Sequence, residues 1–304
     1  MPLLIQAVIL AVASAQAQPE RTGDWFEHWR QSTVALGQVE RLASSTNEGT
    51  AHQQRQRFSV LGTGVVLGLA ASGPTPWLVT AKHLLMDKAS NMGREAIQVR
   101  FAWFSQRPVD DYFGVRLGLV AGGKPLWVAH PDPSVDLACV RLRLSPGDAG
   151  KADVPAVVPE VFVRPDELLQ GADVLVLGYP GAGGALFWTE AVARKGIIAW
   201  LSPTSPITER FLIDANVSPG NSGGPVFRLP GGMDRGGNLV LGGRVSFLGI
   251  VSKALPEYVP VIADDGKANL KLPGLYAPSL VGLTVVEPAH RVMELLEAAA
   301  KLAP

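Results

Sequence analysis

The apolar residues of this chain come in short β-branched runs, each cut off within a few positions by glycine or proline, which leaves little room for long helices. STVALGQV, FSVLGTGVVLG, PWLVT, IQVRFAWF, GVRLGLV, PLWVAH and DLACVRL all fall before residue 145. A second batch, ADVLVLGYP, AVARKGIIAWL, ERFLIDANV, VSFLGIVSKAL and LVGLTVVEP, follows residue 170. Between them lies SPGDAGKADVPAVVPEVFVRPDELLQ, whose proline, glycine and charge suit a linker between two β units. With 33 glycines, 24 prolines and 47% hydrophobic residues among 304, the chain has turns and core enough for both. The expectation is an all-β protein of two six-stranded antiparallel barrels, residues 18–150 and 151–304. Two helices frame them. DWFEHWRQ places Trp25, Phe26 and Trp29 at helical spacing, and PAHRVMELLEAAAKL closes the chain with Val292, Leu295, Leu296 and Ala299 on one face behind Pro288.

The first stretch, MPLLIQAVILAVASAQAQPE, is apolar to Ala15 and then offers small residues before a polar start, the pattern of a secretory signal (residues 1–17) cleaved near Ala17. A secreted or periplasmic location follows, with no membrane span in the mature chain. The sole cysteine, Cys139, excludes an intrachain disulfide and sits in an apolar run as core filler. Basic and acidic residues balance at 27 each, so the clustered positive charge of a nucleic-acid binder is missing. No metal site or cofactor is expected: His28, His52, His130 and His290 are scattered without ligand spacing, and His130 reads as a solvated loop residue.

In SPGNSGGPVF, one serine, Ser222, is boxed in by Gly220, Gly223 and Gly224. The glycines could do no more than build a tight turn. They could also let successive N–H groups converge beside the hydroxyl, which is what an oxyanion site requires. Nucleophilic serine chemistry then needs a base and a carboxylate to orient it. His83, at the end of the strand in LVTAKHLL, and Asp136, at the mouth of DLACVRL, are the candidates.

TAKHLL, DLACVRL and PGNSGGPVF, in that order, resemble the three signature segments of the chymotrypsin-like (trypsin-fold) serine endopeptidases. GTGVVL, LGYPG, DANVSPGNSGGPVF, LGIVSKA and GLTVVEPAHRVMELL are similar to the bacterial HtrA (Deg) branch, although that branch's PDZ-like module is not expected here. The resemblance implies a triad of His83, Asp136 and Ser222, and an oxyanion hole from the backbone N–H groups of the Gly220, Asn221 and Ser222 segment. It also places Asn216 and Val217 at the base of the S1 pocket, with Ser252, Lys253 and Ala254 as its opposite wall and as the strand that pairs with substrate. The implied partner is a protein or peptide cut after small or apolar residues. Two departures stand out. Lys82 precedes the histidine where a small or apolar residue is usual, and Asn221 precedes the serine where clip-activated members carry an aspartate. An amide cannot form their activating ion pair, so no trypsin-style zymogen switch is expected. The alternative is a protease fold serving as a non-catalytic or ligand-activated binding or regulatory protein.

Overall fold

The computed structural model describes residues 25–41, 56–68, 76–87, 92–101, 113–143, 161–163, 168–181, 190–204, 209–233, 236–264 and 269–302. The expected signal sequence and the boundary at 150 lie outside them.

Helix α1 (Trp25–Ser32) runs straight into the first of seven strands: β1 (Thr33–Arg41), β2 (Gln56–Gly68), β3 (Pro76–Ala81), β4 (Ala96–Phe101), β5 (Phe113–Gly118), β6 (Trp127–Ala129) and β7 (Leu137–Arg141). They pair in the order β6-β7-β3-β2-β1-β4-β5 as one curled antiparallel sheet. Among the described residues the main sheet of this half therefore has seven strands rather than six, apart from two short two-stranded ribbons. Its terminal strands β5 and β6 are not paired to each other among the described residues. One local cause of the curl is a bulge at Leu36/Gly37. A side chain at Gly37 would strike the Ser59 carbonyl and the Phe58 ring, so only glycine lets the strands approach there.

The second half is a closed six-stranded barrel: β8 (Asp173–Gly178), β9 (Val192–Trp200), β10 (Phe211–Asp214), β11 (Pro225–Arg228), β12 (Ser246–Asp264) and β13 (Asn269–Pro288), in the order β8-β9-β10-β13-β12-β11. β12 and β13 are far longer than their partners. Past Ala254 and Leu283 they pair, among the described residues, only with each other, forming a two-stranded arm that carries exposed Tyr258 and Tyr276. Helix α2 (Ala289–Leu302) closes the chain and buries Val292, Leu295, Leu296 and Ala299, the face its periodicity predicts.

Each half has its own core. One packs Leu36, Val66, Leu78, Ile97, Val99 and Val140; the other packs Val174, Ile198, Phe211, Ile213, Val226 and Val286. A third cluster joins them, with Trp29, Val65 and Trp77 from the first half against Leu177, Phe227, Phe247 and the apolar face of α2. Trp29 is central there, its ring 4.1 Å from that of Phe227 and stacked at 5.5 Å on Phe247. Cys139 is fully buried, and burial pushes its thiol well above the ordinary range, so it stays protonated as filler. With no crosslink available, the shared cluster is the main apolar contact holding the halves in register.

Candidate active site

β3 is buried from Trp77 to Ala81, and at its end the backbone tightens into a 3-10 turn over Lys82–Leu85. Leu84 and Leu85 return to the core while His83 stays partly exposed. Asp136 immediately precedes β7, the strand that pairs with β3 from Leu137↔Ala81 onward, so sheet register alone brings the two residues together. His83 Nδ1 lies 2.8 Å from Asp136 Oδ2, and the His83 amide donates to Oδ1 at 3.0 Å. An ionised carboxylate only accepts, so the contact places a proton on Nδ1 and selects the tautomer whose Nε2 is the acceptor whenever the ring is neutral. Ser252 adds a hydroxyl to Oδ2 at 2.9 Å. Burial raises the Asp136 carboxyl, but the His83 ring, its charge, its amide and the Ser252 hydroxyl outweigh that and hold it below the ordinary carboxylate range.

Lys82, the residue out of pattern, is a clamp. Its ammonium donates to the Pro133 and Val135 carbonyls at 2.8 and 3.1 Å, and its amide to the Asp136 carbonyl at 3.1 Å. Asp132 caps the same loop by accepting the Ser134 amide and hydroxyl. His130, expected in solvent, is only 4% exposed. Its Nδ1 accepts the Asp132 amide and its Nε2 lies 3.1 Å from Glu294 on α2, so packing of the closing helix is what buries it.

The loop around Ser222 is held from both halves. Thr63 on β2 donates its amide to the Ser222 carbonyl (2.8 Å) and its hydroxyl to the Gly220 carbonyl (2.7 Å), while accepting the Tyr179 amide (2.9 Å). From β12, Val251 accepts the Gly223 amide at 2.7 Å and donates to the Gly224 carbonyl at 2.9 Å. Val251 adjoins Ser252, so the strand that contacts Asp136 also seats the residues after Ser222. Of the three amides expected to face an oxyanion, that of Asn221 donates to Ser218 instead. Those of Gly220 and Ser222 donate to no group among the described residues. The Asn221 side chain, fully buried, donates to the Ser218 carbonyl and hydroxyl within its own loop.

Gly220 (φ 100°) and Gly223 (φ 85°) hold backbone conformations that favour glycine. A Cβ at Gly223 would also run into the Thr63 carbonyl and Thr80 hydroxyl. Gly223→Ala is therefore expected to destabilise the fold by about 3 kcal/mol, the combined scale of backbone strain and overpacking, read as a lower urea midpoint with unchanged slope.

The expected S1 residues divide. Asn216 is exposed, adopts φ 48°, and accepts the Arg194 guanidinium on its carbonyl at 2.8 Å. Val217, only 2% exposed, packs into the barrel core with Ile213, Val226 and Val251, so its side chain does not line an open wall. Ser252 turns its hydroxyl to Asp136, a contact the sequence reading missed. A polar residue inside the apolar run LGIVSKA was its only signal. Lys253 and Ala254 pair with Val285 and Thr284 on one side, and no described strand pairs with their other edge. No group of His, Cys, Asp and Glu among the described residues could hold a metal ion, and no helix there is long and apolar enough to cross a membrane.

Two curled β halves with a His–Asp pair on one and a glycine-boxed serine on the other define the class. The family model of the trypsin-like peptidase domain matches residues 62–232, and the chain belongs to that family. Serine protease Rv3671c of Mycobacterium tuberculosis strain H37Rv is 35% identical over 118 residues, covering 36% of this chain. Serine protease MT3772 of strain CDC 1551 matches equally. The chain's match spans about a quarter (27%) of the length of these curated relatives. Among solved structures, the HtrA-type protease AlgW with decapeptide superposes at TM-score 0.50 with 18% identity, over 90% of this chain and 66% of that one. This likeness is one of fold.

Proposed function

We propose that the chain is a serine endopeptidase in which His83, Asp136 and Ser222 act as the triad. The observation that carries this is the 2.8 Å contact of His83 Nδ1 with a multiply hydrogen-bonded Asp136, taken with a glycine-boxed serine whose own amide and that of Gly220 are uncommitted among the described residues. Ser222 Oγ attacks the scissile carbonyl carbon as His83 Nε2 takes its proton. The oxygen that becomes negative is received by the Gly220 and Ser222 N–H groups, each worth about 3 kcal/mol of transition-state stabilisation. Collapse breaks the C–N bond, His83 returns the proton to the leaving amine, and water attacks the acyl-enzyme by the reverse route.

The substrate is an extended or unfolded protein laid as an added strand against residues 252–254, whose free edge supports this reading. The decapeptide in the AlgW structure is in keeping with a peptide ligand. Cleavage follows small or apolar residues: neither Asn216 nor Val217 brings a carboxylate, and the Arg194 guanidinium on the Asn216 carbonyl disfavours a basic side chain. The apolar leader before Ala17 supports export to the periplasm or medium.

A fluorophosphonate probe tests the assignment. Adduct mapped to Ser222, with parallel digestion of casein, is the expected result; no adduct leaves a protease-fold binding protein as the better reading, and an adduct elsewhere means a different nucleophile. A peptide library should show cuts after Ala, Val or Leu. Cuts mainly after Arg or Lys would overturn the specificity.

A further inference from the structure

A second carboxylate lies behind the His–Asp pair. Glu287 is the last residue but one of β13, follows Val285 and Val286, and is 1% exposed. Its register partner across the sheet is Ile250, so the surroundings would suit an apolar side chain. Instead its Oε1 accepts the backbone amide of Asp136 at 3.1 Å and the Arg210 Nε at 2.6 Å. Arg210, just ahead of β10, reaches on to donate to the Ser134 carbonyl, two residues upstream of Asp136. The cluster borders a cleft of about 290 Å³ lined by Ser134, Val135, Glu209, Arg210, Glu287 and Arg291.

Replacing a buried ion pair with apolar residues is often neutral or even favourable for stability, so fold stability does not call for a carboxylate here. What an acceptor side chain does here, and an apolar one cannot, is take two donors at one oxygen and hold a neighbouring loop by its main chain. With the Asp136 carbonyl already fixed by Lys82 and its carboxylate by His83 and Ser252, the amide is the remaining handle. We infer that Glu287 is a positioning residue for Asp136, and through it for the His83 ring, with Arg210 as the partner that orients the Glu287 carboxylate. This rests on the triad reading above but concerns a different atom, the Asp136 backbone nitrogen.

The test compares Glu287→Met, which fills the space without an acceptor, with Glu287→Gln, which keeps an oxygen for the Asp136 amide. The decisive readout is the low-field proton resonance of the His83–Asp136 hydrogen bond, visible by NMR whether or not the protein turns over substrate. It should be present in the parent and the Gln variant, and lost or moved upfield in the Met variant. Per active site titrated with fluorophosphonate, kcat should fall roughly tenfold to a hundredfold in Met with KM for a short peptide unchanged, because slight misplacement acts on the chemical step. Gln should stay within about threefold of the parent. If Glu287→Met does not fold, Glu287→Met with Arg210→Leu removes the stranded charge and is read the same way. An unshifted resonance in the Met variants overturns the inference. A parent that neither cleaves nor labels would sink the peptidase reading, while the resonance would still decide the role of Glu287.

Discussion

Ser222→Ala is expected to lower kcat by about a millionfold, the scale reached when a serine peptidase loses its nucleophile, while leaving stability and peptide affinity near those of the parent. The loop explains the separation. Its shape depends on the Thr63 contacts to the Ser222 and Gly220 carbonyls and on Val251 holding Gly223 and Gly224, none of which uses the Ser222 hydroxyl. The alanine variant should therefore bind an extended apolar peptide normally in calorimetry and fail to take up fluorophosphonate. Equal labelling of variant and parent would mean the nucleophile is elsewhere.

Asp136→Asn is expected to cost about ten-thousandfold in kcat, close to 5 kcal/mol of barrier. The side chain keeps its size but can now donate toward His83. With an NH2 facing Nδ1, the ring proton moves to Nε2 and the base is lost. The variant also reports on acid stability. The Asp136 carboxyl is held below its ordinary value of 3.8 in the folded chain, so its contribution is full above that value and lost as pH falls through the lower folded value. Asn carries no such proton linkage. Urea midpoints taken from neutral pH down to about 3 should fall less steeply for Asp136→Asn than for the parent, and identical slopes would mean Asp136 is not depressed.

Much of the strand pattern was legible because β-branched residues alternate between turn residues, and the closing helix because its apolar face repeats at helical spacing. The arm of β12 and β13 was not. Pro256, Pro260, Pro273 and Pro278 break any period there, and proline is tolerated only because the ribbon has open edges. The triad segments could be read by resemblance, but several features around them could not. His130 looked like a loop residue because the contacts burying it come from a helix 164 positions away. Lys82 looked like an oddity because its acceptors are main-chain carbonyls, which leave no trace in composition. Glu287, 151 residues from Asp136 in the chain, had no sequence signal except being the single acid in LVGLTVVEP. Long-range hydrogen bonds to backbone atoms are the part of a site that local pattern does not encode.

Thr63 belongs to the first half, yet it holds the loop of the second. During synthesis the strands that carry it leave the ribosome well before residues 218–224, so a template is present when that loop emerges. A barrel made alone would lack the hydroxyl that receives the Tyr179 amide and binds the Gly220 carbonyl, and the amides beside the serine would be free to wander. Docking of the two halves and shaping of the serine loop are thus one event, joined through the side chain and amide of a single threonine.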